Sequence, residues 1–118
     1  MSITFNAQTA DGEWPGVSVN QSNTNALQTM VSLGFDEGLV DYSGSIPADD
    51  LRALIVFAQA GLAVDPSADD GTAAYETKLP GRATMIECGL RPGYFTDVYA
   101  RLDEVAEAAG PGGVVTWG

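Results

Sequence analysis

The chain has no histidine, a single cysteine (Cys88) and only five basic side chains among 118 residues. The missing imidazole removes the most frequent general base and the most frequent metal ligand. One thiol permits neither an intramolecular disulfide nor a thiolate metal cage, and no histidine is there to activate it as a nucleophile. Arg52, Lys78, Arg82, Arg91 and Arg101 are too few to neutralise a phosphate backbone, so direct nucleic-acid binding of the usual kind is not expected. Three of them fall between Lys78 and Arg91, which leaves room for a local basic spot. Long apolar runs are also lacking. The most apolar stretch, Leu51 to Val64, is interrupted by Arg52 and Gln59; it is too short and too polar to cross a bilayer and suits a buried helix. Met1 to Ala10 shows neither the basic start nor the apolar centre of an export signal. No membrane association, and a cytoplasmic location in the cell of origin or a host, are therefore expected.

What is abundant is acid. Sixteen Asp and Glu set a formal net charge of −11, while hydrophobic residues make up 45 %. That hydrophobic share is ordinary for a globular protein and well above that of a disordered one. The length fits a single domain over residues 1–118. A surface this negative keeps the molecule soluble and steers cationic partners toward it.

Local patterns change along the chain. Ser2 to Asn6 alternates, with Ile3 and Phe5 on one side, and Gly16 to Asn20 alternates through Val17 and Val19. Together they predict a hairpin whose loop carries Trp14. From Ser22 the period becomes helical through Ala26, Leu27, Met30, Val31 and Leu33, ending at Gly34. Phe35 to Ser45 reads as a loop. Pro47 at a first helical position, with Asp49 and Asp50 in the first turn, opens a second helix through Leu51, Leu54, Ile55 and Ala58 to Gly61. Leu79-Pro80-Gly81-Arg82 has the type II turn signature and predicts a second hairpin between Ala73–Leu79 and Ala83–Cys88, with Met85, Tyr75 and Leu79 facing inward. The clearest helix follows, through Phe95, Val98, Tyr99, Leu102, Val105, Ala106 and Ala109, and Gly110-Pro111 stops it. Val114 to Trp117 is β-branched and aromatic, a closing strand. The order β-β-α-α-β-β-α-β predicts an α+β fold with a mixed or antiparallel sheet and helices packed on it.

Few segments offer chemistry. Asp65, Ser67, Asp69, Thr72 and Glu76 have part of the spacing of an EF-hand calcium loop. Asp70 stands where that loop requires glycine, so a polar surface loop is the better reading and no metal is expected. Gly110-Pro111-Gly112-Gly113 lacks the partners of a phosphate loop. No pair among the carboxylates stands out as an acid–base couple, so no catalytic residue is assigned. Asn20-Gln21-Ser22-Asn23-Thr24-Asn25 joins a strand end to a helix N-terminus, where free N–H groups and amides suit a polar or anionic ligand, or simply satisfy the helix end. Cys88 to Tyr94 joins a strand to the last helix, with two glycines, a charge and a phenol. Asn20, Ser22, Asn23, Asn25, Gly89, Arg91 and Tyr94 are thus the candidate ligand-binding residues, if both segments lie at one end of the sheet. Trp14 is a candidate interface anchor.

Asn20-Gln21-Ser22-Asn23-Thr24-Asn25-Ala26, Gly44-Ser45-Ile46-Pro47-Ala48, Gly89 with Gly93-Tyr94, and a terminal Val-Thr-Trp resemble a family of small uncharacterised proteins from bacteria and their phages. The resemblance spreads over about 100 residues in short motifs, and leaves the loop from Asp11 to Pro15 unmatched. It implies one domain and this element order, without an assigned activity. Small size, negative charge and absent catalytic side chains point to a binding domain that contacts a protein with a basic surface, in an accessory, inhibitor or immunity-type role. No cofactor is expected. A binder of a small molecule or nucleotide fragment, a carboxylate-dependent enzyme and a mimic of nucleic acid are the alternatives.

Overall fold

The computed structural model describes residues 1–71, 75–78, 84–87 and 90–118, with 75–78 and 84–87 described by their backbone. β1 (Ser2–Gln8) pairs antiparallel with β2 (Ser18–Ser22), so the first hairpin forms as its alternation predicts. The second strand starts two residues later than its sequence pattern suggests. β1 also pairs with β6 (Val114–Trp117), and β6 with β3 (Gly44–Pro47). The result is one antiparallel sheet in the order β2-β1-β6-β3, carried with three helices in an α+β fold.

β3 corrects the sequence reading, which placed Gly44 and Ser45 in a loop and Pro47 inside a helix. Four residues with a single inward side chain, Ile46, make a pattern too short to recognise. Pro47 is tolerated because β3 is an edge strand, where its missing N–H removes no ladder bond from the interior. Gly44 faces Trp117 across the ladder. A Cβ on Gly44 would fall 2.7 Å from the Trp117 ring, so only glycine lets that indole lie flat against the strand.

α1 (Asn23–Ser32), α2 (Ala48–Val64) and α3 (Tyr94–Ala109) pack on one face of the sheet. That face shows Ile3, Phe5 and Ala7 of β1, Val19 of β2, Ile46 of β3, and Val115 and Trp117 of β6, all buried. The helices answer with Met30, Leu51, Ile55, Leu102 and Val105, none more than 1 % exposed. Side chains of this size stabilise by about 1.5–3 kcal/mol each on burial. Trp117 sits centrally, its ring 5.7 Å from Phe5 and 5.6 Å from Phe35, and its Nε1 donates to Asp41 O at 3.0 Å. The opposite face of the sheet carries Thr4, Asn6, Asn20 and Thr116 and stays at least partly open to solvent.

Two helix beginnings depend on distant residues. α2 has Pro47 at its N-cap without a side-chain bond, and the Ala48 amide donates instead to Gly113 O at 3.0 Å. α2 also continues past Gly61 to Val64, since a helical glycine costs only about 1 kcal/mol relative to alanine. α3 opens at Gly93, a left-handed residue with no side chain to cap the helix. The backbones of Tyr75–Lys78 (β4) and Thr84–Glu87 (β5) pair antiparallel as a separate two-stranded sheet. The expected type II turn, the inward facing of Tyr75, Leu79 and Met85, and Cys88 and Gly89 lie outside the described residues.

Candidate functional site

The two segments singled out in the sequence do meet, through a residue between the named ones. Gln21 continues the inward phase of Val19 and is 5 % exposed. Its Nε2 donates to Thr29 Oγ1 at 3.0 Å and to the Tyr94 hydroxyl at 2.6 Å, tying β2 and α1 to the first turn of α3. Thr29 Oγ1 spends its own proton on Asn25 O at 2.8 Å. It therefore needs a donor from Gln21, which fixes the orientation of the amide. Gln21 Oε1 is left buried without a donor, a state that costs about 1–3 kcal/mol.

The candidate residues around this junction serve the fold. Asn20 lies on the open face, its Nδ2 donating to Ser2 Oγ at 3.1 Å and Thr4 Oγ1 at 2.8 Å. Ser22 caps α1, its hydroxyl accepting from the Asn25 amide at 3.3 Å. The Asn23 amide donates to Met1 O at 3.4 Å. Arg91 donates from Nη2 to Asp97 Oδ2 at 2.7 Å and stands 5.8 Å from the centre of the Tyr94 ring. Arg101 shares that carboxylate at 3.4 Å. These pairs are largely exposed, where each contributes at most about 1 kcal/mol. Trp14 is 58 % exposed in the β1–β2 loop.

Asp69 was part of the expected polar loop, and its place is more specific. It ends a 3₁₀ turn (Pro66–Asp69) and is buried against the start of α3. One carboxylate oxygen accepts from the Phe95 amide at 2.8 Å; the other accepts from the Thr96 amide at 2.9 Å and the Thr96 hydroxyl at 2.6 Å. The Asp69 carbonyl accepts from the Gly93 amide at 2.8 Å. Asp69 is thus the cap that Gly93 cannot supply, placed where the helix dipole favours an anion. Burial alone would raise the Asp69 carboxyl. The Thr96 hydroxyl, the Thr96 and Phe95 amides and the charge of Arg91 outweigh it and hold the group below its ordinary value of 3.8. Nearby, burial pushes the Tyr99 hydroxyl above its usual 10.0; its bond to Ser32 opposes that shift and the Asp69 charge adds to it. Among the described residues, no cluster of three or more His, Cys, Asp or Glu is placed to hold a metal ion.

Concave surface lies elsewhere. A trough of about 410 Å³ is lined by Leu27, Gln28, Val31, Ser32 and Phe95. Ser32 and Phe95 also line a second hollow of about 340 Å³, whose other wall is Phe57, Ala58 and Gly61 of α2. A third, of about 450 Å³, lies where Phe35, Asp36 and Leu39 face Ile46, Asp50 and Leu54. None of the three is lined by Asn20, Ser22, Asn23, Asn25, Arg91 or Tyr94. The fold and these surfaces define an acidic α+β domain with a crevice between its helices. No family model, no curated protein and no solved structure matches the chain, so the resemblance in the short motifs rests on those residues alone. Among the described residues, no helix is long and apolar enough to cross a membrane.

Proposed function

We propose that the chain is a small acidic cytoplasmic domain that acts by binding another protein with a basic surface, in an accessory, inhibitor or immunity-type role. The observation that supports this is apolar surface left open on the helices. Phe57 and Val64, one stripe of α2, are 83 % and 87 % exposed, and Val31 of α1 is 65 % exposed. Phe57 and Val31 each wall one of the two connected hollows. Large apolar side chains gathered around concave surface are a feature of interaction sites rather than of scattered exposure. The net charge of −11 adds long-range attraction toward a cationic partner.

The test is capture from the source cells by the immobilised chain. One partner is expected to be retained at about 0.05 M salt and released at about 0.5 M, where screening shortens to a few ångströms. The paired change Val31→Asp and Phe57→Asp is expected to abolish retention while leaving the thermal melt cooperative. Nothing retained at low salt, or equal retention by the variant, overturns the reading.

A second reading, a small polar ligand at the Gln21–Tyr94 junction, draws on the donorless Gln21 Oε1. A ligand donating to that oxygen would shift the Gln21 side-chain amide resonances, and a screen of nucleosides and amides that moves none of them removes it.

A further inference from the structure

No Lys or Arg precedes Arg52 in the chain, whereas Asp11, Glu13, Asp36, Glu37, Asp41, Asp49 and Asp50 do. Folding does not correct this imbalance among the described residues. Arg52 turns to Asp103 at 3.2 Å, and Arg91 and Arg101 both serve Asp97. Asp36, Glu37, Asp41, Asp49 and Asp50 are all exposed, and no cation of the described residues pairs with them. Asp49 and Asp50 have a structural use in the positive first turn of α2. Asp36, Glu37 and Asp41 do not share it.

Two of these carboxylates flank an apolar floor. The 450 Å³ groove places Asp36 on one wall and Asp50 on the other, over Phe35, Leu39, Ile46 and Leu54. Leu54 leads along α2 at helical spacing to Phe57, Ala58 and Gly61, which wall the 340 Å³ hollow. On the facing side, one residue, Leu33, separates Ser32 of the hollow from Gly34 and Phe35 of the groove. Groove and hollow thus lie in succession along α2, a crevice with Asp36 and Asp50 at one end and Phe57, Phe95 and Tyr99 at the other. Asp65 is the one acid lining the apolar end.

We infer that the partner enters this crevice with an arginine- or lysine-bearing amphipathic segment. Its cationic side chain lies between Asp36 and Asp50, and its apolar side chains lie against Leu54 and Phe57. The inference rests on the protein-binding reading and names the chemistry of the partner. A long basic side chain suits the groove because its methylene stem covers Phe35, Leu39 and Leu54 while its charged head stays at the carboxylates. Complementary charge would fix which end of the segment enters where.

The test uses a defined probe, an acetylated peptide amide of two leucines, one alanine and two arginines, beside its counterpart with citrulline for arginine. Titrated into the isotopically labelled chain, the arginine peptide is expected to shift the amides of Asp36, Ala53 and Leu54, and the citrulline peptide to bind at least about fivefold more weakly. Asp36→Asn and Asp50→Asn are each expected to weaken the arginine peptide about two- to fivefold, the range of one partly exposed ion pair. Glu107→Gln, on the exposed side of α3, is expected to leave it unchanged. No binding, equal binding of the citrulline peptide, or equal weakening by all three substitutions overturns the inference. Capture from the source cells separates the two claims. A partner held equally by the wild type and the double Asn variant ends the cationic-segment inference and leaves protein binding standing. A wild type that holds nothing ends the protein-binding reading, and the peptide titration still judges the groove.

Discussion

Asp69 does the work of a missing residue at the start of α3, and its acid titration follows from that. Its carboxyl is held below 3.8, so the folded state binds the proton less readily than the unfolded chain. The stability it adds is fully present above about pH 4 and is lost as pH falls through the folded value. In the variant Asp69→Asn this acid limb of the stability curve is expected to flatten, and Asp69→Ala is expected to lose about 1–3 kcal/mol at neutral pH; urea melts between pH 2.5 and 7 check both. Gln21 is the contrasting case. Gln21→Leu removes the donorless Oε1 together with the bonds to Thr29 and Tyr94, and Thr29 keeps its bond to Asn25 O. The change also leaves the Tyr94 hydroxyl and Thr29 Oγ1 without the Gln21 donor, and removing one partner of a buried bond costs about 1–3 kcal/mol. Relief of Oε1 offsets part of this, so urea melts are expected to show a net loss of about 1 kcal/mol.

At the scale of elements, β3 and its neighbour Trp117 offer a sharp check. Gly44→Ala forces a methyl into the indole, and overpacking of this kind costs about 1–3 kcal/mol; a lower denaturation midpoint with an unchanged slope is the expected result. The same strand marks what the sequence conceals. α3 is legible because its apolar stripe repeats over four turns and Gly110 stops it, and β1 because Ile3 and Phe5 alternate. β3 offers one inward residue, and its pairing with β6 joins segments some seventy residues apart, which no local pattern announces. The site shows the same division. Alternation through Val17 and Val19 carries Gln21 inward once the strand is extended to Ser22, so that residue was within reach of the sequence. Asp69 was not, because a cap lent across 26 positions leaves no periodic trace. Nor does spacing reveal that Asp36 and Asp50 line one groove.

For the molecule as a whole, charge of one sign dominates. Three exposed ion pairs among the described residues set against a net charge of −11 leave mostly repulsion, which salt screens. Raising sodium chloride from about 0.01 M to about 0.3 M is expected to stabilise the fold by about 1 kcal/mol, a rise of about 4 °C in Tm, read by circular dichroism; a fall would mean that ion pairs outweigh repulsion. A different whole-molecule property follows from the anchoring of Asp69 to Gly93 and Phe95. Gly71, at a φ of 86°, lies so close to the Leu90 carbonyl that a Cβ there would stand 2.5 Å from it. Gly71 and Leu90 thus stand side by side at a clasped neck. Whatever is spliced between the two sides of that neck inherits a closed base, and lengthening a loop costs only about 0.6 kcal/mol per doubling. Foreign peptides grafted there would be displayed on an intact scaffold.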